Sequence, residues 1–147
     1  YELFLQENAN MKVSWEDFNK RKKEDTIEHI YPQSPNDIYW KNRFGHLKPS
    51  EKRQYLNSLG NLLLLNRSKN SKLQNYDFDK KKCLLNKDGK EIGYYNGSYS
   101  EIEVSKHKEW TPDEIKKRGL LMLQFMEERW KFSFDNWNIS KEDILFP

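Results

Sequence analysis

The sequence predicts an α+β domain in which a small two-strand unit, followed at once by a helix, is set into a mostly helical chain. Three observations predict it. Thr26-Ile27-Glu28-His29-Ile30-Tyr31-Pro32-Gln33 is a short run whose extended part ends near Pro32, since proline cannot donate to a sheet ladder. Leu59 to Asn70 reads as a Gly60-Asn61 turn, a buried strand over Leu62 to Leu65, and a helix start at Asn66 or Ser68, either of which can cap the free amides of a first turn. Elsewhere apolar residues recur at helical spacing, most plainly after Thr111. With 147 residues the chain reads as one domain, 1–147, long enough to bury a core.

Leucine, phenylalanine, tyrosine and five tryptophans supply that core, although 33% of residues are charged and the mean hydropathy is −1.09. No run approaches the length of a membrane span, and there is no charged start, apolar stretch and small-residue cleavage site, so a soluble, cytoplasmic protein is expected. The single cysteine, Cys83, excludes an internal disulfide and a multi-cysteine zinc knuckle; beside two leucines it reads as a small core residue. A net charge of +3 permits nucleic-acid binding without arguing for it.

In chain order, residues 1–25 form lead-in helices: a helix through Glu2 to Asn8, then Ser14 to Phe18, then the basic run Lys20-Arg21-Lys22-Lys23. The chain begins at Tyr1 in mid-helix, which reads as a C-terminal piece of a longer protein. Residues 26–86 hold the two-strand core with a helical insertion, because Asn36 to Phe44 and Pro49 to Leu56 both carry helical spacing and Pro49 suits a first turn. His46 is a candidate ligand by type, but it has no neighbouring acid and falls in a turn. The helix after Asn66 should stop near Asn75, and Asp77 can cap another running through Lys80-Lys81-Lys82 to Leu85. Residues 87–147 hold a hairpin about Asp88-Gly89, with Glu91 to Tyr95 returning, and then helices. Thr111 is the cap of the longest, with Pro112 at its first position and Glu114 placed to close a capping box. Ile115, Leu120, Leu121, Leu123, Phe125, Met126 and Trp130 give it a broad apolar stripe, which is core. His107 reads as an exposed polar residue, and the aromatic tail from Phe132 to Pro147 should pack down.

If the Glu28-His29 segment pairs with the second strand and the helix crosses beneath, Glu28, His29, Asn61 and Asn70 converge. These residues resemble the ββα-metal nucleases of the HNH family. The order EHIYPQ, LGNLLLLN, KNSKLQN with FDKKK, then Trp110-Thr111 with Ile115 and Arg118, is similar to the C-terminal nuclease domain of GmrSD-type modification-dependent restriction enzymes, over roughly residues 26 to 130. The resemblance implies a ββα-metal finger in a mostly helical domain and a DNA endonuclease of bacterial phage defence. In it His29 is the general base, Glu28 and Asn70 are the metal ligands, and Asn61 orients the loop carrying His29. An oxygen-only ligand set suits Mg²⁺ or Mn²⁺. The resemblance also implies a nucleotide-binding domain of the same polypeptide ahead of this one. One base and one metal attack one phosphodiester, so double-strand cleavage calls for a second copy, as in a dimer.

DNA contacts fall to Lys69, Lys72, Lys80, Lys81 and Lys82, unless these lysines form only a solvated face. One geometric objection stands against the site: neighbours in a regular strand point to opposite faces, so Glu28 and His29 share a phosphate only if the pleat breaks. The alternative is a catalytically degenerate HNH-like fold that binds DNA or docks a protein. Two departures from the commonest pattern point that way, glutamate before the histidine and asparagine in the final ligand position.

Overall fold

The computed structural model describes Tyr1, Glu2 and residues 25–147; the rest of the expected first helix, residues 14–18 and the basic run at 20–23 lie outside the described residues. Strand β1 (Asp25–His29) is followed by α1 (Ile38–Phe44) and α2 (Pro49–Asn57), a 3₁₀ turn (Leu59–Asn61), β2 (Leu62–Asn66) and α3 (Arg67–Leu73). Then come α4 (Phe78–Lys82), the short strands β3 (Leu84–Leu85) and β4 (Glu91–Ile92), a 3₁₀ turn (Tyr94–Asn96), α5 (Tyr99–Ser105) and the long α6 (Pro112–Trp130). A last 3₁₀ turn (Phe134–Trp137) leads to α7 (Lys141–Leu145). The strands form two antiparallel pairs, β1 with β2 and β3 with β4, and so the expected α+β class holds.

Local chemistry sets most boundaries. Asp37, Asn66, Asp77 and Thr111 each accept a hydrogen bond from an amide in the first turn of α1, α3, α4 and α6. Pro49 and Pro112 open α2 and α6 with a ring that needs no amide donor there. Some expectations fail. Glu114 does not close a capping box, because its carboxylate turns to His107 and Lys117. The helix capped by Asp77 stops at Lys82, since Leu84 and Leu85 pair instead with Ile92 and Glu91. Cys83, between that helix and strand, is exposed and takes no part in the core.

The β1–β2 register pairs Thr26 with Leu65, Ile27 with Leu64, Glu28 with Leu63 and His29 with Leu62. Residues facing each other in an antiparallel pair lie on the same face. Thr26, Glu28, Leu63 and Leu65 therefore face inward, whereas Ile27 and Leu64 are 60% and 56% exposed. A two-strand sheet with one face covered is half buried, which is why the second strand alternates and is not buried throughout as its leucines suggest. Beneath it lies a core of Tyr31, Trp40, Phe44, Leu73, Phe78, Trp110 and Ile115, in which the Tyr31 and Phe44 rings stack at 3.9 Å.

α6 supports the turn before β2. A Cβ at Gly60 would collide with the Ile115 carbonyl oxygen, so the turn rests on the α6 backbone at a distance only glycine permits. The apolar stripe of α6 is narrower than its sequence suggests: Ile115, Gly119 and Leu123 are buried, but Leu121 and Trp130 are exposed. The end of the tail packs down, as expected, whereas Trp137 and Ile144 within it stay exposed. Leu145 is buried over Gly119, Phe146 lies against Tyr55, and Gln54 donates to the carbonyls of Phe146 and Pro147. Among the described residues no helix is long and apolar enough to cross a membrane.

Candidate active site

The site is built where β1 ends. Asn61, wholly buried in the turn before β2, reaches across to the residues that follow His29. Its Oδ1 accepts from the Tyr31 amide at 2.7 Å and from the Trp110 indole at 3.2 Å. Its Nδ2 donates to the carbonyls of Tyr31 and Leu56, at 3.0 and 2.9 Å, and its own carbonyl accepts from the Ile30 amide at 3.0 Å. Every bonding position of the side-chain amide is used, so Asn61 is a clamp on the strand end and has nothing left for a ligand. Arg118, 2% exposed, holds the same turn from α6 by donating to the carbonyls of Gly60 and Leu62 and pairing with Glu103.

Asn70 sits in the middle of α3, directly beneath β1. Its Nδ2 donates to Thr26 Oγ1 at 2.9 Å and to the Ile27 carbonyl at 3.3 Å. With its nitrogen committed to the strand, the amide keeps its oxygen, the atom a hard cation uses. A cleft of about 230 Å³ follows the strand end, lined by Ile27, Glu28, His29, Pro32 and Gln33 and closed by Asn70, Gln74 and Asn75.

Glu28 is 4% exposed and faces inward. Its Oε1 accepts from Lys81 Nζ at 2.5 Å and from the Tyr94 hydroxyl at 2.8 Å. Lys81 Nζ also donates to the His29 carbonyl at 2.9 Å. Oε2 has no protein partner among the described residues, and it is not a sealed, unsatisfied atom either; Ser58 Oγ alone is that. Glu28 lines the cleft, and Oε2 is its oxygen without a protein partner among the described residues. Burial pushes the Lys81 ammonium below the ordinary lysine range, opposed by Glu28, and pushes the Tyr94 hydroxyl well up.

The pleat does not break between Glu28 and His29. Both remain in the ladder, one side chain inward and the other outward, yet both border the same cleft. Burial lowers the His29 pKa; Glu28 opposes that shift and Lys81 adds to it. The imidazole is therefore neutral near pH 7, the form in which it can accept a proton.

The lysines do not form one surface. Each residue of a helix turns about 100° from the last, so three consecutive lysines in α4 cannot share a direction. Lys81 is wholly buried and cannot touch DNA in this fold, which corrects its reading as a contact. Lys80 pairs with Asp77 at 2.8 Å and remains half exposed, and Lys82 pairs with Asp79 at 2.9 Å. Lys69 is drawn inward between Glu101 and the Gly93 carbonyl, and Lys72 is exposed. His107 is not the exposed residue its lysine neighbours suggest. It is half buried, its Nδ1 is 2.7 Å from Glu114 and its ring edge meets Trp110. Its pKa is raised, by Glu103 above all and then by Glu114, against the effect of burial. His46 is exposed, with no ion pair among the described residues.

Among the described residues there is no cluster of three or more histidine, cysteine, aspartate or glutamate side chains able to hold a metal. Glu28 and Asn70, which both line the cleft, offer only oxygen, a donor chemistry that suits a hard divalent ion keeping several waters and does not suit structural zinc. Sequence reasoning missed Tyr94, and it missed the roles of Lys81, Trp110 and Arg118 in this site, having placed Lys81 among the DNA contacts and the other two only in the family-like order. Arg118 left a further signal, a charge three residues after Ile115 on an apolar stripe. No curated protein and no solved structure matches the chain. A family model, that of the C-terminal domain of GmrSD restriction endonucleases, matches residues 2–125 and so spans Glu28, His29, Asn61, Asn70, Lys81, Tyr94, Trp110 and Arg118. The chain belongs to the family of GmrSD restriction endonuclease C-terminal domains.

Proposed function

We propose that this domain is an HNH-type, metal-dependent DNA endonuclease that hydrolyses phosphodiester bonds as the nuclease part of a modification-dependent restriction enzyme of phage defence. One observation carries the reading. His29, neutral near pH 7, Glu28 and Asn70 line one cleft, at a strand end that Asn61 fixes, and the last two each keep an oxygen without a protein partner among the described residues. Family membership supplies the expectation of a nuclease acting on DNA.

A phosphodiester is anionic and has a poor alkoxide leaving group, so hydrolysis needs a deprotonated water and positive charge at the oxygens that become negative. His29 accepts the proton of the attacking water at a ring nitrogen. Asn61 keeps that ring on the cleft by holding the backbone of Ile30 and Tyr31. Glu28 Oε2 and Asn70 Oδ1 would hold the cation. Bound Mg²⁺ or Mn²⁺ supplies Lewis-acid stabilisation of charge at the phosphoryl and leaving oxygens. Lys72 and Lys80, the lysines that remain exposed, are the best placed of the five to meet the phosphate backbone. A single cleft with a single base cuts one strand, so nicked circles precede linear DNA, and double-strand breaks need a second copy.

A specific observation favours a second reading, in which the domain binds DNA or a protein without cutting: the Glu28 carboxylate already carries a lysine and a tyrosine. A supercoiled-plasmid assay separates the two. The purified domain should nick in Mg²⁺ or Mn²⁺ and stop on chelation. His29→Ala should lower the rate about 10²- to 10⁴-fold with its circular dichroism unchanged. Wild-type protein that never nicks, or a His29→Ala variant that nicks at the wild-type rate, would decide against the enzyme.

A further inference from the structure

We infer that Lys81 is a positioning residue of this cleft: its buried ammonium, together with the Tyr94 hydroxyl, takes Oε1 of Glu28 and leaves Oε2 as the one oxygen offered to a divalent cation. This rests on the reading of Glu28 as a ligand. A lysine buried to the last atom loses its hydration, and a leucine or methionine would fill the same space without that loss. Its neighbours in α4 behave differently, each turning out to an acid of its own helix turn.

The geometry of the ammonium gives it a task beyond neutralising a charge. It bonds the carboxylate of Glu28 at 2.5 Å and the backbone carbonyl of His29 at 2.9 Å. One group thus fixes the ligand side chain relative to the backbone that carries the base. Tyr94 adds a second donor to the same oxygen at 2.8 Å, and none reaches Oε2 among the described residues. Two donors on one oxygen and none on the other orient a carboxylate. They also hold it to single-oxygen ligation, and the adjacent positive charge opposes a cation, so the ion is held loosely and exchanges freely.

The test is Mn²⁺ binding at pH 8, followed by calorimetry and by the electron paramagnetic signal of the free ion, beside plasmid nicking. Glu28→Gln should lose most of the binding. Lys81→Met should bind Mn²⁺ about tenfold or more tightly, since a unit charge next to the ligand is gone. Its nicking rate at saturating metal should nevertheless fall, because the carboxylate and the strand end are no longer tied together. Lys81→Arg, which keeps the charge, should stay closer to wild type in affinity. A merely structural lysine would lower the folded fraction and leave the Mn²⁺ affinity of the folded protein where it was. If Lys81→Met does not fold, Tyr94→Phe, which keeps the ring, should tighten binding in the same direction by about twofold or more. Unchanged or weaker affinity in the variant that folds, with Glu28→Gln still defective, overturns the role of Lys81. Wild-type affinity in Glu28→Gln shows that Glu28 is no ligand, and then both readings fall.

Discussion

The two asparagines of the site have the same side chain and opposite degrees of freedom. Asn61 spends its whole amide on the protein, whereas Asn70 spends only its nitrogen. Asn61→Ala leaves a buried amide, an indole N–H and two carbonyls without their partner, at about 1–3 kcal/mol for each group that finds no other. It should therefore lower both stability and rate, with little rescue by added metal. Asn70→Ala should lose activity that raised Mg²⁺ or Mn²⁺ partly restores. Metal titration of the two variants checks this, and rescue of Asn61→Ala alone would reverse the assignments. His107 provides a pH test away from the cleft. It lies just past α5, among Glu103 of that helix and Glu114 and Arg118 on α6, and its pKa is raised above the ordinary 6.5. A raised folded-state value means that the charged form is bound more tightly folded than unfolded. The resulting stability is fully present below pH 6.5 and is lost as pH rises through the folded-state pKa. The melting temperature of His107→Gln should thus fall below wild type at pH 6, and the gap should narrow steadily through pH 8; a gap that widens with pH would contradict the pairing.

At the scale of elements, the strand end depends on one close approach. The turn bearing Asn61 lies on the α6 backbone at Gly60, and α7 covers Gly119 with the side chain of Leu145. Backbone cannot withdraw as a side-chain end can. Gly60→Ala should accordingly cost more than Gly119→Ala, about 1–3 kcal/mol or beyond, by urea denaturation. Equal midpoints for the two variants would show that the turn can shift. The same contrast between local and distant effects separates what the sequence made legible from what it did not. The caps at Asn66, Asp77 and Thr111 were readable because a cap is satisfied two or three residues away. The convergence of Glu28, His29 and Asn70 was readable through their order in the chain. Lys81 was not, because nothing local distinguishes the middle lysine of three, and its partner lies 53 residues away. Trp110 and Tyr94 meet Asn61 and Glu28 across 49 and 66 residues, and neither indole nor phenol announces such a bond. The broad stripe of α6 and the burial of Cys83 were over-read, since an apolar neighbour in sequence does not say which face will be covered.

For the molecule as a whole, the cleft and the core are separate. Trp40, Phe44, Phe78, Trp110 and Ile115 pack on one another, and Glu28 and Asn70 line a cleft outside that cluster. Chelation should stop cleavage and leave the melting temperature nearly unchanged, with Mg²⁺ or Mn²⁺ restoring activity; a large loss of stability, repaired by zinc alone, would make the site structural. The Glu28 contact with Tyr94 also bears on the history of each molecule made. The chain leaves the ribosome from its N-terminal end, at roughly 5–20 residues per second. The carboxylate of Glu28 therefore waits about 3 to 13 seconds for the hydroxyl that bonds it. During that interval the histidine already exists, but the second strand, Asn70, Lys81 and Tyr94 arrive one after another. Any cutting centre assembled from these parts is absent from the growing polypeptide and is completed only when most of the domain has been synthesised.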